Sequence, residues 1–239
     1  MKRIKAQILL TPTGAKHLIA RALIEYLDLK KRVYIAYGTT NQYLLYHLGI
    51  KTSKLYAAGC NVKGRFNVTK ERDKIIILEN KKIVEIENFD ISSDDVFIKG
   101  ANALWYNADK KEAAVAAADK NGGTYGNFYI KAVCRGAKII IPVGHEKLIP
   151  YFVETAQNVD FSTGSKIAML KFFAGEIFTE IEAFKVLFNL KAEVFLAGGI
   201  EDSQGAVGFL VEGERAKEAV KFAEIYNFHP DKHNNDYIY

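Results

Sequence analysis

The segment from Asp95 to Lys147 opens as DVFIKGANAL (Asp95–Leu104), continues as KNGGTYGNFYIKAVCRG (Lys120–Gly136) and closes in AKIIIPVGHEKL (Ala137–Leu148). VFI and IIIPV are short unbroken apolar runs, the pattern of strands buried on both faces. Each delivers the chain into glycines and small polar residues, and such strand-end loops are where open α/β sheets hold ligands. Between them, GTYGNFYIKAVCRG reads as a helix entered through glycine and ended at Gly136, whose apolar stretch places Cys134 in the core. The alanine-rich stretch from Glu112 to Asp119 reads as helical or at least compact.

Upstream, Thr11 and Thr13 are candidate helix caps around Pro12, and apolar residues recur at Ala15, Leu18, Ile19, Ala22, Leu23 and Tyr26 with helical period. RVYIAY (Arg32–Tyr37) reads as a buried strand ending at Gly38, and Thr39, Thr40 and Asn41 open a second helix. Strands closed by a hairpin at Glu79–Lys82 are expected between Lys54 and Glu87. Beyond Pro150 the order strand, helix, two paired strands (AEVFLAGGI and GAVGFLVEG) and closing helix suggests a ferredoxin-like half. Thr179 and Glu182 fit a capping box. The expected fold is α/β: a mostly parallel sheet flanked by helices over residues 1–150, a smaller α+β ferredoxin-like part over 151–230, and a polar tail over 231–239.

The 239 residues carry a formal net charge of +5, with lysines scattered rather than blocked together, which argues against nucleic-acid binding and leaves an anionic small metabolite as the favoured partner. No apolar run approaches the length needed to cross a bilayer, so no membrane partner and a cytoplasmic location are expected. Cys60 and Cys134 match neither a metal-knuckle nor a disulfide framework, and His229 and His233 lack recognisable metal-ligand companions. No metal and no cofactor are expected. Ferredoxin-like edges and apolar stretches such as KFFAGEIF favour a homo-oligomer.

Four loops carry candidate chemistry. Gly38, Thr39, Thr40 and Asn41 combine a helix N-terminus with two hydroxyls, which suits phosphate or carboxylate. Lys99, Gly100 and Asn102 follow VFI and offer a charge and an amide. Gly122, Gly123 and Thr124 precede a helix with a glycine density that implies tight turning or close approach. His145, Glu146 and Lys147 follow IIIPVG; His145 and Glu146 are the candidate acid/base pair and Lys147 a phosphate partner.

Val96–Lys147 resembles the superfamily that contains ribose-5-phosphate isomerase, glucosamine-6-phosphate isomerase, CoA transferases and translation initiation factor regulatory subunits (NagB/RpiA/CoA-transferase-like). The likeness rests on VFIKGAN, NGGTYG, the FYIKAVCRG helix and AKIIIPV, with Gly38-Thr39-Thr40 similar to the first phosphate-holding loop of the isomerases. LTPTGAKHLIA, GTTN, KGANAL, GGT and PVGHEKLIP together resemble a narrower prokaryotic family, which implies no particular reaction. The superfamily resemblance implies a sugar-phosphate or nucleotide-like ligand, with sugar-phosphate isomerase or CoA-transferase activity as the alternative. Where the isomerase motif carries a proton-handling aspartate this chain has Asn102, a neutral side chain that cannot serve as a general base, which leaves enzymatic activity open and favours binding.

Overall fold

In a computed structural model, residues 4–52, 55–70, 74–86 and 88–228 are described, with backbone alone at Cys60. The chain begins with β1 (Lys5–Leu10) and α1 (Pro12–Tyr26), then β2 (Val33–Ile35) and α2 (Thr39–His47). Two hairpins follow: β3 (Gly59–Val62) with β4 (Arg65–Val68), and β5 (Ile76–Glu79) with β6 (Lys82–Ile83). β7 (Val96–Ile98), β8 (Ala103–Asn107) and β9 (Lys110–Ala117) lead to a π-helical turn at Tyr125–Tyr129 and the short α3 (Ile130–Cys134). β10 (Lys138–Pro142), β11 (Ala168–Lys171), β12 (Glu176–Phe178) and α4 (Glu180–Phe188) come next. The hairpin of β13 (Lys191–Ala197) and β14 (Val207–Glu212) precedes α5 (Ala216–Tyr226).

VYI, VFI and KIIIP form the middle of a mixed six-stranded sheet, ordered β12-β10-β7-β2-β5-β6 and flanked by helices. The first four strands run parallel, and β5 and β6 are antiparallel. Strand alternation divides these apolar runs between two cores. Val33, Ile35, Val96, Ile98 and Ile140 enter one with α1 and α2. Tyr34, Phe97, Ile139 and Ile141 enter the other with Tyr129, Ala132 and Val115. Because both faces are covered, no polar side of the strand survives in the sequence. Each fully buried large side chain, Phe97 for instance, contributes about 1.5–3 kcal/mol.

The caps form where the residue types place them. Thr11 accepts from the Gly14 amide at the start of α1, with Pro12 in the first turn. Thr179 and Glu182 make a reciprocal capping box on α4. The turn at Asn80 and Lys81, both left-handed, closes the β5–β6 hairpin at the expected place.

Three expectations are corrected. Glu112–Asp119 is not helical: residues 110–117 are β9, the central strand of an antiparallel sheet with β8 and β11. Its alanines present a short-side-chained surface, and hydrogen bonding on both edges outweighs the helix preference of alanine. Cys134 is exposed rather than in the core, because the last turn of α3 buries Ala132 instead. LYAAG contributes only its Gly59 to a strand.

Beyond Pro150 two strands precede α4 where one was expected, giving the order ββαββα, and the strands are divided: β11, the first of them, pairs with β9. β12 joins the six-stranded sheet, while β13 and β14 form a three-stranded antiparallel sheet with the N-terminal β1. Both sheets therefore cross residue 150. His229, His233 and the tail 231–239 lie outside the described residues.

Candidate functional site

At the carboxyl ends of β2 and β7 the chain opens a cleft of about 850 Å³. Three of the candidate loops converge on it: Gly38, Thr39 and Thr40; Lys99, Gly100 and Asn102; and Gly122, Gly123 and Thr124. Lys147 reaches the same cleft from the turn after β10. The wall opposite the sheet is the β3–β4 hairpin, which supplies Asn61, Phe66 and Asn67.

α2 starts at this cleft with Gly38 as its cap residue and no side chain capping it, so its first-turn N–H groups give the wall positive character. The Gly38 backbone is extended and a Cβ would meet nothing closer than 3.8 Å, so the loop does not depend on glycine there. Gly122 and Gly123 differ. Their φ values of 75° and 56° are left-handed, and the amides of Asn121 and Gly123 donate to Asp119 Oδ1 at 2.8 and 3.3 Å. That turn fixes the start of the following helical segment.

Lys99 is only 6% exposed. Its Nζ lies 3.4 Å from the carbonyl oxygens of Tyr37 and Gly100, and among the described residues it has no carboxylate partner. Burial, reinforced by the nearby charge of Lys147, pulls its pKa down to about 8. Lys147 Nζ donates to the Ala101 carbonyl at 2.9 Å, and its nearest carboxylate, Glu146, is 3.8 Å away. Burial holds Glu146 above the usual carboxylate range, with Lys147 opposing and Glu180 adding to the shift. It is therefore a weak counter-ion. Among the described residues the cleft lining carries Lys70, Lys99 and Lys147 against the single carboxylate Asp119, a field that attracts anions.

Comparison with protein-family models, with curated proteins and with solved structures finds no match. The chemistry of the cleft therefore rests on its own residues.

Several expected residues sit elsewhere or do structural work. Asn41 is fully buried, and its Nδ2 donates to the carbonyls of Ala36 at 2.7 Å and Ile98 at 3.3 Å, tying together the ends of β2 and β7 outside the cleft. Asn102 lines the cleft, but its Oδ1 accepts from the Ala116 amide at 3.0 Å and holds the loop to β9. His145 and Glu146 are not among the lining residues. The single helical turn His145–Lys147 sends Lys147 into the cleft and His145 away from it. There the imidazole is buried, with Nδ1 2.6 Å from Glu180 Oε2 and Nε2 2.9 Å from the Tyr106 hydroxyl. Glu180 also accepts from the His145 amide at 3.0 Å. With Glu180 ionised, Nδ1–H donates to it and Nε2 is left to accept from Tyr106.

Asp95 and Asp109 do not line the cleft. Asp95 caps the turn before β7 by accepting from the Ser92 amide and hydroxyl, at the opposite end of the strand. Asp109 sits in the β8–β9 turn. Sequence reasoning missed Asp119 and the β3–β4 hairpin. Asp119 had a signal, an acidic residue three before the Gly122-Gly123 pair, whereas the hairpin reaches the cleft only through folding. Among the described residues no three His, Cys, Asp or Glu side chains group to hold a metal, and no helix is long and apolar enough to cross a membrane.

Proposed function

We propose that the protein binds an anionic small metabolite, a sugar phosphate or nucleotide-like molecule, in the cleft between the sheet and the β3–β4 hairpin. The observation that carries this reading is Lys99, a buried ammonium at the end of a central strand with no carboxylate partner among the described residues. Leaving such a charge unpaired is costly, and a bound anion would remove that cost. The first turn of α2, the hydroxyls of Thr39 and Thr40, and Lys147 add donors and charge on the same side. Aromatic side chains on the other walls, Phe66 and Phe128, give a sugar or base an apolar surface to lie against.

The resemblance to the isomerase and CoA-transferase superfamily supports the same choice of ligand, since the loops that carry it are the loops that line the cleft. It does not favour its proton-transfer chemistry. The neutral Asn102 stands at the aspartate position, and Asp119 has one oxygen engaged by the turn amides. Binding without isomerisation is the reading we adopt.

Isothermal titration with inorganic phosphate, ribose 5-phosphate, AMP and uncharged ribose tests it. Phosphorylated ligands are expected to bind, ribose to fail, and Lys147→Gln to weaken binding about tenfold, or about 1.4 kcal/mol. Equal binding of ribose and ribose 5-phosphate, or no effect of Lys147→Gln, would overturn the reading.

A further inference from the structure

The geometry of the cleft points to covalent chemistry at Lys99: we propose that its side-chain amine forms an imine with an aldehyde or ketone carbonyl of a phosphorylated ligand. The proposal rests on the anion-binding reading but adds to it, because an anion site alone needs only positive charge. Lys147, the α2 N-terminus and the threonines share that role with Lys99. Lys99 differs from every one of them in its setting.

It is placed at the carboxyl end of β7, between β2 and β10, so the strands on both sides fix its backbone. Its Nζ donates to two carbonyl oxygens over a long 3.4 Å, weak bonds that leave the nitrogen lone pair free once a proton is lost. Among the described residues no carboxylate holds the proton on. With a pKa near 8, a substantial fraction of Lys99 is an uncharged nucleophile close to neutrality.

The step balances within the cleft. The Nζ lone pair attacks the carbonyl carbon, the carbon–oxygen π bond opens, and one N–H proton passes to that oxygen to give a carbinolamine. Lys147 ammonium, on the same wall, protonates the hydroxyl, which leaves as water as the carbon–nitrogen double bond forms. The remaining nitrogen proton returns to Lys147. Amine and carbonyl thus give imine and water, with no oxidant or reductant.

Reductive trapping tests this. The full chain is incubated with glyceraldehyde 3-phosphate and cyanoborohydride, and the modified lysine is located by peptide mass mapping. The expected result is one adduct per chain at Lys99, suppressed by excess inorganic phosphate and absent in Lys99→Arg. Its yield should rise about tenfold between pH 7 and 9 and level off above about pH 9, as the amine becomes neutral. Exposed lysines should keep gaining reactivity towards their usual pKa of about 10.4. Label spread over surface lysines with Lys99 unmodified, while titration shows phosphate bound, would overturn the imine proposal alone. If phosphate does not bind, the anion reading has failed, and trapping with unphosphorylated glyceraldehyde decides the rest. Preferential modification of Lys99 keeps the imine, and none ends it.

Discussion

Lys147 and His145 are two residues apart on one helical turn, yet they belong to opposite kinds of environment. On the His145 side, the imidazole has both nitrogens engaged: Glu180 accepts from the backbone amide and the ring, and Tyr106 closes the other ring nitrogen. On the Lys147 side, a buried lysine lacks an acidic partner among the described residues and the nearest carboxylate is discouraged from ionising. A buried network with its bonds complete rigidifies a fold, whereas an incomplete one invites something to complete it. The difference supports the proposal that Lys99 and Lys147, which line the cleft, meet the ligand while His145 is support, although histidine is the residue chemistry would favour first.

The sharpest way to break the comparison is Glu180→Ala. It strips a buried imidazole and an amide of their acceptor, and an expected loss of about 3–5 kcal/mol in urea unfolding should leave phosphate affinity of the folded protein unchanged. A loss of affinity at preserved stability would reverse the two assignments.

Lys99→Met should behave in the opposite way, losing anion binding without losing stability. The folded pKa of Lys99, about 8, lies below its ordinary 10.5, so the unfolded chain holds the proton more strongly between those values. The folded state therefore bears a cost from Lys99 below pH 8 that disappears as pH rises to about 10.5. Relative to Lys99→Met, the wild-type protein should gain about 3 kcal/mol over that window in chemical denaturation.

Gly123→Ala forces a side chain into a left-handed backbone and should cost about 1–2 kcal/mol in thermal unfolding, with weaker phosphate binding because the loop lines the cleft. Tyr106→Phe removes one hydrogen bond from a half-exposed ring, so about 0.5–1.5 kcal/mol of stability should go and binding should stay. Asn102→Asp is the mildest for the fold, since an aspartate oxygen accepts from the Ala116 amide equally well. It should weaken phosphate binding severalfold by repulsion, read by titration.

Much of the cleft was legible because its loops are written locally. Gly122-Gly123 before a helix, Lys99 after VFI, and Gly38-Thr39-Thr40 after VYIAY each follow from strand-end and glycine rules, and all three line the cleft. Residues 110–117 were misread because alanine favours a helix in isolation, and only the pairing of β9 with β8 and β11 makes it a strand. Cys134 was misread because an apolar five-residue helix does not reveal which of its sides meets the sheet.

The sequence by itself determined the buried strands, the caps at Thr11 and Thr179, the β5–β6 turn and the loops that surround the cleft. These depend on a residue and its near neighbours in the chain. Tertiary structure alone decided that β1 pairs with β14, that β12 leaves its sequence neighbours for β10, and that the β3–β4 hairpin closes the cleft. It also decided which of His145 and Lys147 faces the cleft. Those outcomes depend on which distant groups come within hydrogen-bonding reach and which are left without a partner, and no local pattern encodes such distances.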